Sequence, residues 1–485
     1  MANQFSRRGF IRTSSALSAG LWASGCKFMN SSPQKPNLLF IWTDEQRADT
    51  MAVYGNKKIK TPNLNRLAEQ SFVFMKAYVT QPVSTPSRSS VLTGLYPHTS
   101  GLTSNNIPLP ATTPCFPELL NDPDYKTAYM GKWHLGDEIF PQHGFENWVS
   151  IEDGYSVYYS EGRDPAARSD YHHWLVGKGY KPSENDNKFS RNFAASLPIE
   201  HCKPKFLEEN ACRFLEENQA DPFVLYVNFL EPHMPFTGPL DEMYHPDDVD
   251  LPASFDDPLD ENEPLQYRLK RENCMKKYGP DEENYRKLIS KYWGLVTQVD
   301  RSVGAILDKL EQLGLAGNTI VVYTSDHGDM MGAHRLVEKS VMFEEATRIP
   351  FLMKVPFITS NQTIIPQRVS QIDIVPTLLE LMGKPQSASL QGKSLAKAMR
   401  ENSMPDEPLF IEWNSSNVNG RTVITPDGWK LCLSDNDHSQ LFNLVEDPWE
   451  TTNLFDNPAF SEKIGFLKGK IREWQVKTND SLKIA

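Results

Sequence analysis

Apolar runs without alternation recur along the first three quarters of the chain. Residues 37–43, 223–229, 319–324 and 351–355 each read as a short strand buried on both faces, the habit of parallel sheets. Between them the period changes. Residues 62–70 read as a helix. Tyr285, Leu288, Tyr292, Leu295, Val299, Val303, Ile306 and Leu310 recur every three or four residues, which predicts one long amphipathic helix with its apolar stripe on the sheet. Residues 372–382 predict another helix, closed by Gly383. Strands alternating with helices imply an α/β fold, a large, mostly parallel mixed sheet sandwiched by helices. Past residue 385 the pattern shortens. Segments 409–411, 422–424, 429–431 and 440–442, separated by turns such as Pro426-Asp427-Gly428, predict a smaller antiparallel sheet, and residues 461–477 a closing helix. No internal repeat is visible. The expected division is 1–35 leader and linker, 36–385 large α/β domain, and 386–485 C-terminal α+β subdomain.

Two polar stretches interrupt the alternation. Residues 153–204 are aromatic and loop-rich and read as an insertion that shapes a pocket. Residues 241–264 are polar and acidic.

The first residues read as an address. Ser6-Arg7-Arg8-Gly9-Phe10-Ile11 precedes a mildly apolar stretch at 16–23, far shorter than the ~20 residues that span a bilayer. A positive start, a short apolar region and Ala23-Ser24-Gly25 predict an export signal of twin-arginine type. Cys26 after Ala-Ser-Gly also resembles a lipoprotein cleavage site, without the usual Leu three residues before it. The expected location is the bacterial periplasm, or the outer membrane through a lipidated Cys26.

Composition narrows the class. In 485 residues, 39% are hydrophobic and 23% charged, which fits a folded soluble body and excludes disorder, collagen and coiled coil. Lys and Arg total 50 against 62 Asp and Glu, a formal net charge of −12, which argues against nucleic acid as a partner. The six cysteines form no CxxC pair, so neither a zinc ribbon nor a thioredoxin-like site is expected, and one or two disulfides stay open.

In an open α/β sheet the ligand sits at the carboxyl ends of the strands. The first run is followed by Asp44-Glu45-Gln46-Arg47, the second by Glu231-Pro232-His233, and the third by Ser325-Asp326-His327-Gly328-Asp329. Three strand ends deliver acids and histidines to one edge. A hard-oxygen majority of this kind suits a divalent cation such as Ca²⁺, Mg²⁺ or Mn²⁺.

Ser84-Thr85-Pro86-Ser87-Arg88 precedes Ser89-Ser90-Val91-Leu92-Thr93-Gly94, where a helix is predicted to begin. Ser84 then lies near a helix N-terminus, a place that favours an anion. These residues resemble the type I sulfatases of the alkaline phosphatase superfamily, whose signature is Cys or Ser, any residue, Pro, Ser or Ala, then Arg, followed by Leu-Thr-Gly. The resemblance extends through Gly131-Lys132-Trp133-His134-Leu135-Gly136, through Ser325-Asp326-His327-Gly328, and through Lys339 with Phe343-Glu344-Glu345 and Arg348-Ile349-Pro350. It ends with Leu441-Phe442-Asn443-Leu444 and Glu450-Thr451-Thr452-Asn453-Leu454, so it spans roughly residues 37–455.

The resemblance implies an alkaline phosphatase-like fold and a sulfuric ester hydrolase acting on a sulfated carbohydrate, polysaccharide or glycosaminoglycan fragment. It implies that Ser84 is oxidised to formylglycine by a serine-type maturation enzyme. One hydroxyl of the hydrated aldehyde attacks sulfur, and the other, once deprotonated, expels sulfate. A plain serine with no adjacent base is a poor nucleophile. By the same resemblance Asp44, Glu45, Asp326 and His327, with Ser84, match the metal ligands of what is usually a calcium site. Glu45 and His327 stand where the family often has Asp, Gln or Asn. Arg88 is expected to stabilise the hydrate, and Lys132 and Lys339 to bind sulfate oxygens. His134 is the expected base and His233 the expected acid, with an exchange of the two roles left open. Asn105 and His98 are candidate substrate contacts, and His334 reads as structural. Tyr155, Tyr158, Tyr159, Tyr171, His172, His173 and Trp174 either stack on sugar rings or form local core. Two other readings stay open: a phosphonate monoester or phosphodiester hydrolase of the same superfamily, and a non-catalytic glycan-binding protein on this fold. Oligomeric state is not legible.

Overall fold

The computed structural model describes residues 35–484. The leader-like segment with Arg7, Arg8 and Cys26 lies outside the described residues.

The four apolar runs are strands, and they lie in one nine-stranded sheet. In chain order its strands are β1 (Asn37–Asp44), β2 (Phe72–Tyr78), β3 (Lys126–Gly131), β4 (Asn147–Val149), β5 (Phe223–Pro232), β6 (Thr319–Ser325), β7 (Arg348–Ile349), β8 (Phe351–Lys354) and β9 (Thr363–Ser370). Spatially they run β4-β3-β5-β1-β6-β8-β2-β7, with β9 paired to β2. The centre is parallel: β1 lies between β5 and β6, and β3 joins β5. Every residue of β1 and β6 is buried, which is why these strands read as unbroken apolar runs.

The run at 351–355 differs from a parallel expectation. It pairs antiparallel with β6 and with β2. β7 and β8 follow one another along β2, both antiparallel to it, with Pro350 between them. Strands β2, β3 and β9 were not evident from pattern alone.

The long helix is Glu282–Gln312, and its buried stripe includes Tyr285, Tyr292, Val299, Val303 and Leu310. The helix expected at 372–382 is a tight turn, Gln371–Asp373, followed by Ile374–Leu381. Gly383 follows at φ +73°, a conformation that favours glycine.

The C-terminal strands β10 (Leu409–Trp413), β11 (Gly420–Ile424), β12 (Trp429–Ser434) and β13 (Gln440–Asn443) form a separate antiparallel meander. A helix, Ser461–Thr478, closes the chain. Leu409, Ile411 and Ile424 share one hydrophobic cluster with Phe40, Phe74 and Leu378. The small sheet is therefore seated on the large one. The five described cysteines are free thiols.

The polar stretch at 153–204 holds two short helices, Asp170–Gly177 and Arg191–Ala195, and its end runs into a longer one, Lys203–Glu217. Tyr171 is buried in the core with Trp174 packed against the same cluster. His172 bonds Asp153 at 2.9 Å. These three residues are local core. Tyr155 instead faces the site, its ring 4.8 Å from that of His134.

Candidate active site

Strand register brings the chemistry together. Thr43 pairs with Ser325, and Asp44 with Pro232 across an irregularity at the end of β1. The three polar segments therefore leave the sheet side by side, as the strand-end rule requires.

Ser84 is the first residue of a helix, Ser84–Thr93. The expected start near Ser89 is thus five residues late. Pro86 explains the difference: its fixed φ and missing N–H are tolerated in a first helical turn. All ten residues of this helix are buried. Its first turn is capped from outside, because Val83 carries no capping group and Asn105 Oδ1 accepts from the Thr85 N–H at 3.1 Å.

Ser84 Oγ lies 3.0 Å from His327 Nε2. The same nitrogen stands 3.6 Å from Asp326 Oδ1 and 3.9 Å from Asp44 Oδ1. Arg88 sits in the same helix, one turn on, fully buried. Its Nε donates to Asp326 Oδ2 at 3.0 Å and its Nη2 to Asp44 Oδ2 at 2.9 Å. Nη1 donates to the Lys132 carbonyl and to Asn228 Oδ1, and the guanidinium lies 4.7 Å from the Trp42 ring centre. A guanidinium with every donor directed in this way is a fixed charge.

Lys132 Nζ bonds Asp44 Oδ2. The backbone reaches Lys132 through Gly131 at φ +113°, where a Cβ would lie 1.9 Å from the Asn228 carbonyl oxygen, so only glycine permits the path. On the far side Lys339 Nζ stands 3.0 Å from Glu45 Oε1 and 3.1 Å from His233 Nε2. His233 Nε2 is also 3.4 Å from Glu45 Oε2. Glu45 and His134 both hold left-handed backbone, at φ 70° and 61°, a strained conformation that concentrates at functional sites.

The charges shape one another. Burial opposes the charge on Asp44, but the Lys132 ammonium and the Arg88 guanidinium outweigh it and hold the carboxyl well below its ordinary range. Burial pushes Glu45 up to about 8, with Asp329 and Asp44 adding to it against Lys339 and His327. Burial also draws Lys132 down to about 8. His134 and His233 are both driven well below the usual imidazole value, by burial first and then by Lys132 and Lys339 respectively. Burial thus favours the neutral form of both rings. The tautomers follow from their neighbours. His233 Nδ1 lies 2.9 Å from the Met234 carbonyl and carries the proton, leaving Nε2 to accept from Lys339. His134 Nε2 donates to Asn106 Oδ1 at 2.9 Å, and its buried Nδ1 has no partner.

The donor set fits a cation. Asp44, Asp326 and His327 bring ligand atoms within 4.8 Å of one another, and so do Asp44, Glu45 and His233. Asp44 Oδ1 and Glu45 Oε2 are buried without a hydrogen-bond donor, and Glu45 Oε1 meets only the Lys339 ammonium. Such oxygens are expensive unless a positive group completes them. Mostly carboxylate oxygens with one imidazole suit a divalent metal.

Of the expected site residues, Ser84, Arg88, Lys132, His233, Lys339, Asp44, Glu45, Asp326 and His327 fall into this one network. His134 borders it through Thr85, whose Oγ1 donates to the His134 carbonyl at 2.8 Å. Asn105 caps the nucleophile helix. His98 is placed elsewhere. Its Nδ1 meets Glu412 Oε1 at 2.6 Å and its Nε2 the Thr478 carbonyl at 3.1 Å, so neither ring nitrogen reaches the network. His334 is structural, bonded to Asp257 and stacked on Phe343. Four neighbours escaped the sequence reading: Asn228, Gln371, Asn106 and Arg191. Asn228 left a signal, a lone amide inside the apolar run of β5. Gln371 donates to the Ser325 and Asp326 carbonyls from the turn before a helix, and nothing in its surroundings marks it.

A buried hydroxyl at a helix tip, beside clustered carboxylates and two ammonium groups, suits a hydrolase of oxyanion esters. Comparison with known proteins resolves which one. The sulfatase family model matches residues 36–384, and the chain belongs to the sulfatase family. It is a sulfuric ester hydrolase. The model of the N-sulphoglucosamine sulphohydrolase C-terminal region matches residues 332–477. The chain is 28% identical over 470 residues to an ulvan-active sulfatase of Formosa agariphila, covering 93% of this chain and 83% of that protein. Its fold is similar to a structure solved in complex with its substrate D-glucosamine-2-N,6-O-disulfate, with TM-score 0.75 and 22% identity over 92% of this chain and 99% of that one. It is also similar to a phosphonate monoester hydrolase from Silicibacter pomeroyi, with TM-score 0.77 and 20% identity over 92% and 96% of the two chains.

Proposed function

We propose that this sulfatase is exported and removes sulfate from a sulfated carbohydrate, using a formylglycine made from Ser84 and a divalent cation, with Ca²⁺ the expected ion. The observation that carries this reading is the meeting of Ser84 and His327 at 3.0 Å beside unpartnered carboxylate oxygens. The ulvan-active relative and the disulfated-glucosamine complex support the substrate class.

Asp44, Glu45, Asp326 and His327 would hold the cation, which supplies positive charge to sulfate oxygens when bound. A formylglycine at position 84, once a water has added to its aldehyde, would supply two hydroxyls on one carbon, a stronger nucleophile than an unassisted serine. Arg88 fixes the nucleophile helix against Asp44 and Asp326. Lys132 and Lys339 bring two ammonium charges to the sulfate oxygens. His134 keeps a free lone pair at Nδ1, suited to take a proton from the nucleophile's hydroxyl. His233 Nε2 and Lys339 Nζ share a proton at 3.1 Å and form the donor for the departing oxygen. The maturation partner is a serine-type formylglycine-generating enzyme. The leader directs the protein to the periplasm, or to the outer membrane through Cys26, and cell fractionation with a Cys26→Ala variant tests which.

The test of function is kcat/KM on sulfated saccharides against a phosphonate monoester, for enzyme co-produced with the maturation enzyme. Preferred hydrolysis of sulfate esters is expected. Preferred hydrolysis of the phosphonate would overturn the reading.

A further inference from the structure

Beside the reacting histidines lies a cavity of about 1370 Å³, lined in part by Tyr155, Lys188, Phe189, Arg191, Met234 and Phe236. Tyr155 packs on the ring of His134, and the Met234 carbonyl holds His233. The cavity is therefore where the part of the substrate beyond the sulfate must lie.

Arg191 links this cavity to the chemistry. Its Nε donates to Glu152 Oε2 at 2.7 Å, and its Nη2 reaches the Tyr155 hydroxyl at 2.9 Å. Nη1 faces His233 Nδ1 at 3.4 Å. That ring nitrogen already gives its hydrogen to Met234, so it cannot accept another. Nη1 is thus directed at the edge of the cavity with hydrogens that this neighbour cannot take.

The cations around it are not all matched by acids at the wall. Lys181, Lys188, Arg191 and Lys277 line the cavity with the acids Glu152, Asp153 and Asp186, and Lys277 is paired with Glu338 at 3.4 Å. Glu152 is shared by Arg191 and Lys203. Asp153 is spent on Ser169, His172 and the Phe189 N–H. Lys188 Nζ meets only a neutral partner in its hydrogen bonding, Ser156 Oγ at 3.1 Å. In a chain of net charge −12, an ammonium at Lys188 and an Nη1 at Arg191 that both lack an acidic hydrogen-bond partner on one cavity wall favour an anion.

We propose that this cavity selects a saccharide carrying a second acidic group, a carboxylate or another sulfate, near the sulfate that is cut, and that Arg191 is the residue that reads it. The inference rests on the sulfated-carbohydrate reading above. Arg191 suits the task because Glu152 and Tyr155 hold Nε and Nη2 in place, while Nη1 keeps hydrogens to donate to a carboxylate or sulfate oxygen. Lys188 adds a weaker charge farther from the histidines.

The test is the ratio of kcat/KM between substrates on the mature holoenzyme. Three sugars serve: a monosulfated neutral hexosamine, its disulfated counterpart, and a monosulfated hexuronate. The wild type is expected to prefer at least one doubly charged sugar by about 10-fold to 100-fold, the worth of a charge-assisted hydrogen bond. Whichever it prefers identifies the second group. Arg191→Ala is expected to bring that ratio close to one, mainly through KM, with Arg191→Lys between the two. Lys188→Ala is expected to lower the ratio by a smaller factor, and it keeps the test alive should Arg191→Ala fail to fold. A wild type that does not discriminate, or a ratio unchanged in both Ala variants, would overturn the proposal. Hydrolysis of a phosphonate ester with none of the three sugars cleaved would overturn the carbohydrate reading itself, a distinct result.

Discussion

Two clusters of buried charge, one around Asp44 and one around Arg421, use the same residue types and end in opposite states. Around Arg421 every group is satisfied. Its Nε and Nη2 grip both oxygens of Asp480 at 2.7 and 2.9 Å, and Nη1 donates to Asn414 and to the Gly420 carbonyl. Glu412 accepts from His98 and Asn414. This cluster ties β10 and β11 to the segment after the last helix. Around Asp44 the cations are more numerous, Arg88, Lys132 and Lys339, yet Asp44 Oδ1, Glu45 Oε2 and His134 Nδ1 stay buried and unpartnered. The difference separates architecture from chemistry. A finished network holds the fold together, and an unfinished one awaits a ligand.

The sharpest way to break this contrast is Ser84→Ala. It is expected to lower kcat by at least about 10⁴-fold, the scale for deleting a nucleophile, with an unfolding midpoint close to wild type. Surviving turnover would remove Ser84 from the chemistry. Arg421→Ala is expected to do the reverse. It leaves Asp480 and Glu412 buried without their cation, a loss of roughly 3–5 kcal/mol in urea unfolding, while kcat per folded molecule holds. A full loss of kcat in soluble, folded R421A would erase the distinction between the clusters.

Metal removal probes the unfinished cluster. Adding Ca²⁺ to chelated protein at a hundredfold excess over Kd is expected to stabilise it by about 2.7 kcal/mol. Glu45→Gln should shrink that gain, as read by calorimetry with and without the ion. An equal gain in both proteins would place the cation elsewhere.

The smallest effect concerns acid. Burial raises the Asp480 carboxyl, but the Arg421 hydrogen bond and charge prevail and hold it below its ordinary value of 3.8. A depressed carboxyl stabilises the fold above its unfolded value and loses that contribution as pH falls through its folded value. Stability is therefore expected to decline below about pH 4. Asp480→Asn should flatten that part of the unfolding profile, and an unchanged slope would show that other carboxylates set it.

His98 shows how far sequence reasoning reached. Its position after the nucleophile fits a substrate contact, but pairing with Glu412, more than three hundred residues away, depends on how the small sheet docks. No local pattern encodes that. Asp44, Asp326 and His233 were legible because apolar strands end where ligands bind, and the strands announce their own ends. Ser84 and Lys132 were legible through short motifs. Strands β2 and β3 were not. β2 is interrupted by half-buried Met75 and Lys76, and β3 opens on Lys126-Thr127 and leaves only Ala128-Tyr129-Met130 before Gly131, so neither gives a long apolar run. Arg191 was hidden for another reason: it comes from a polar insertion with no period, and only folding sets it against His233.

The most direct measurement is the mass of the tryptic peptide spanning residues 77–88, from enzyme produced with and without a serine-type maturation enzyme. With the maturation enzyme, the peptide should be lighter by two hydrogen atoms at Ser84, and sulfate release should rise in proportion to the modified fraction. Full activity on sulfate esters with Ser84 unmodified would contradict the account.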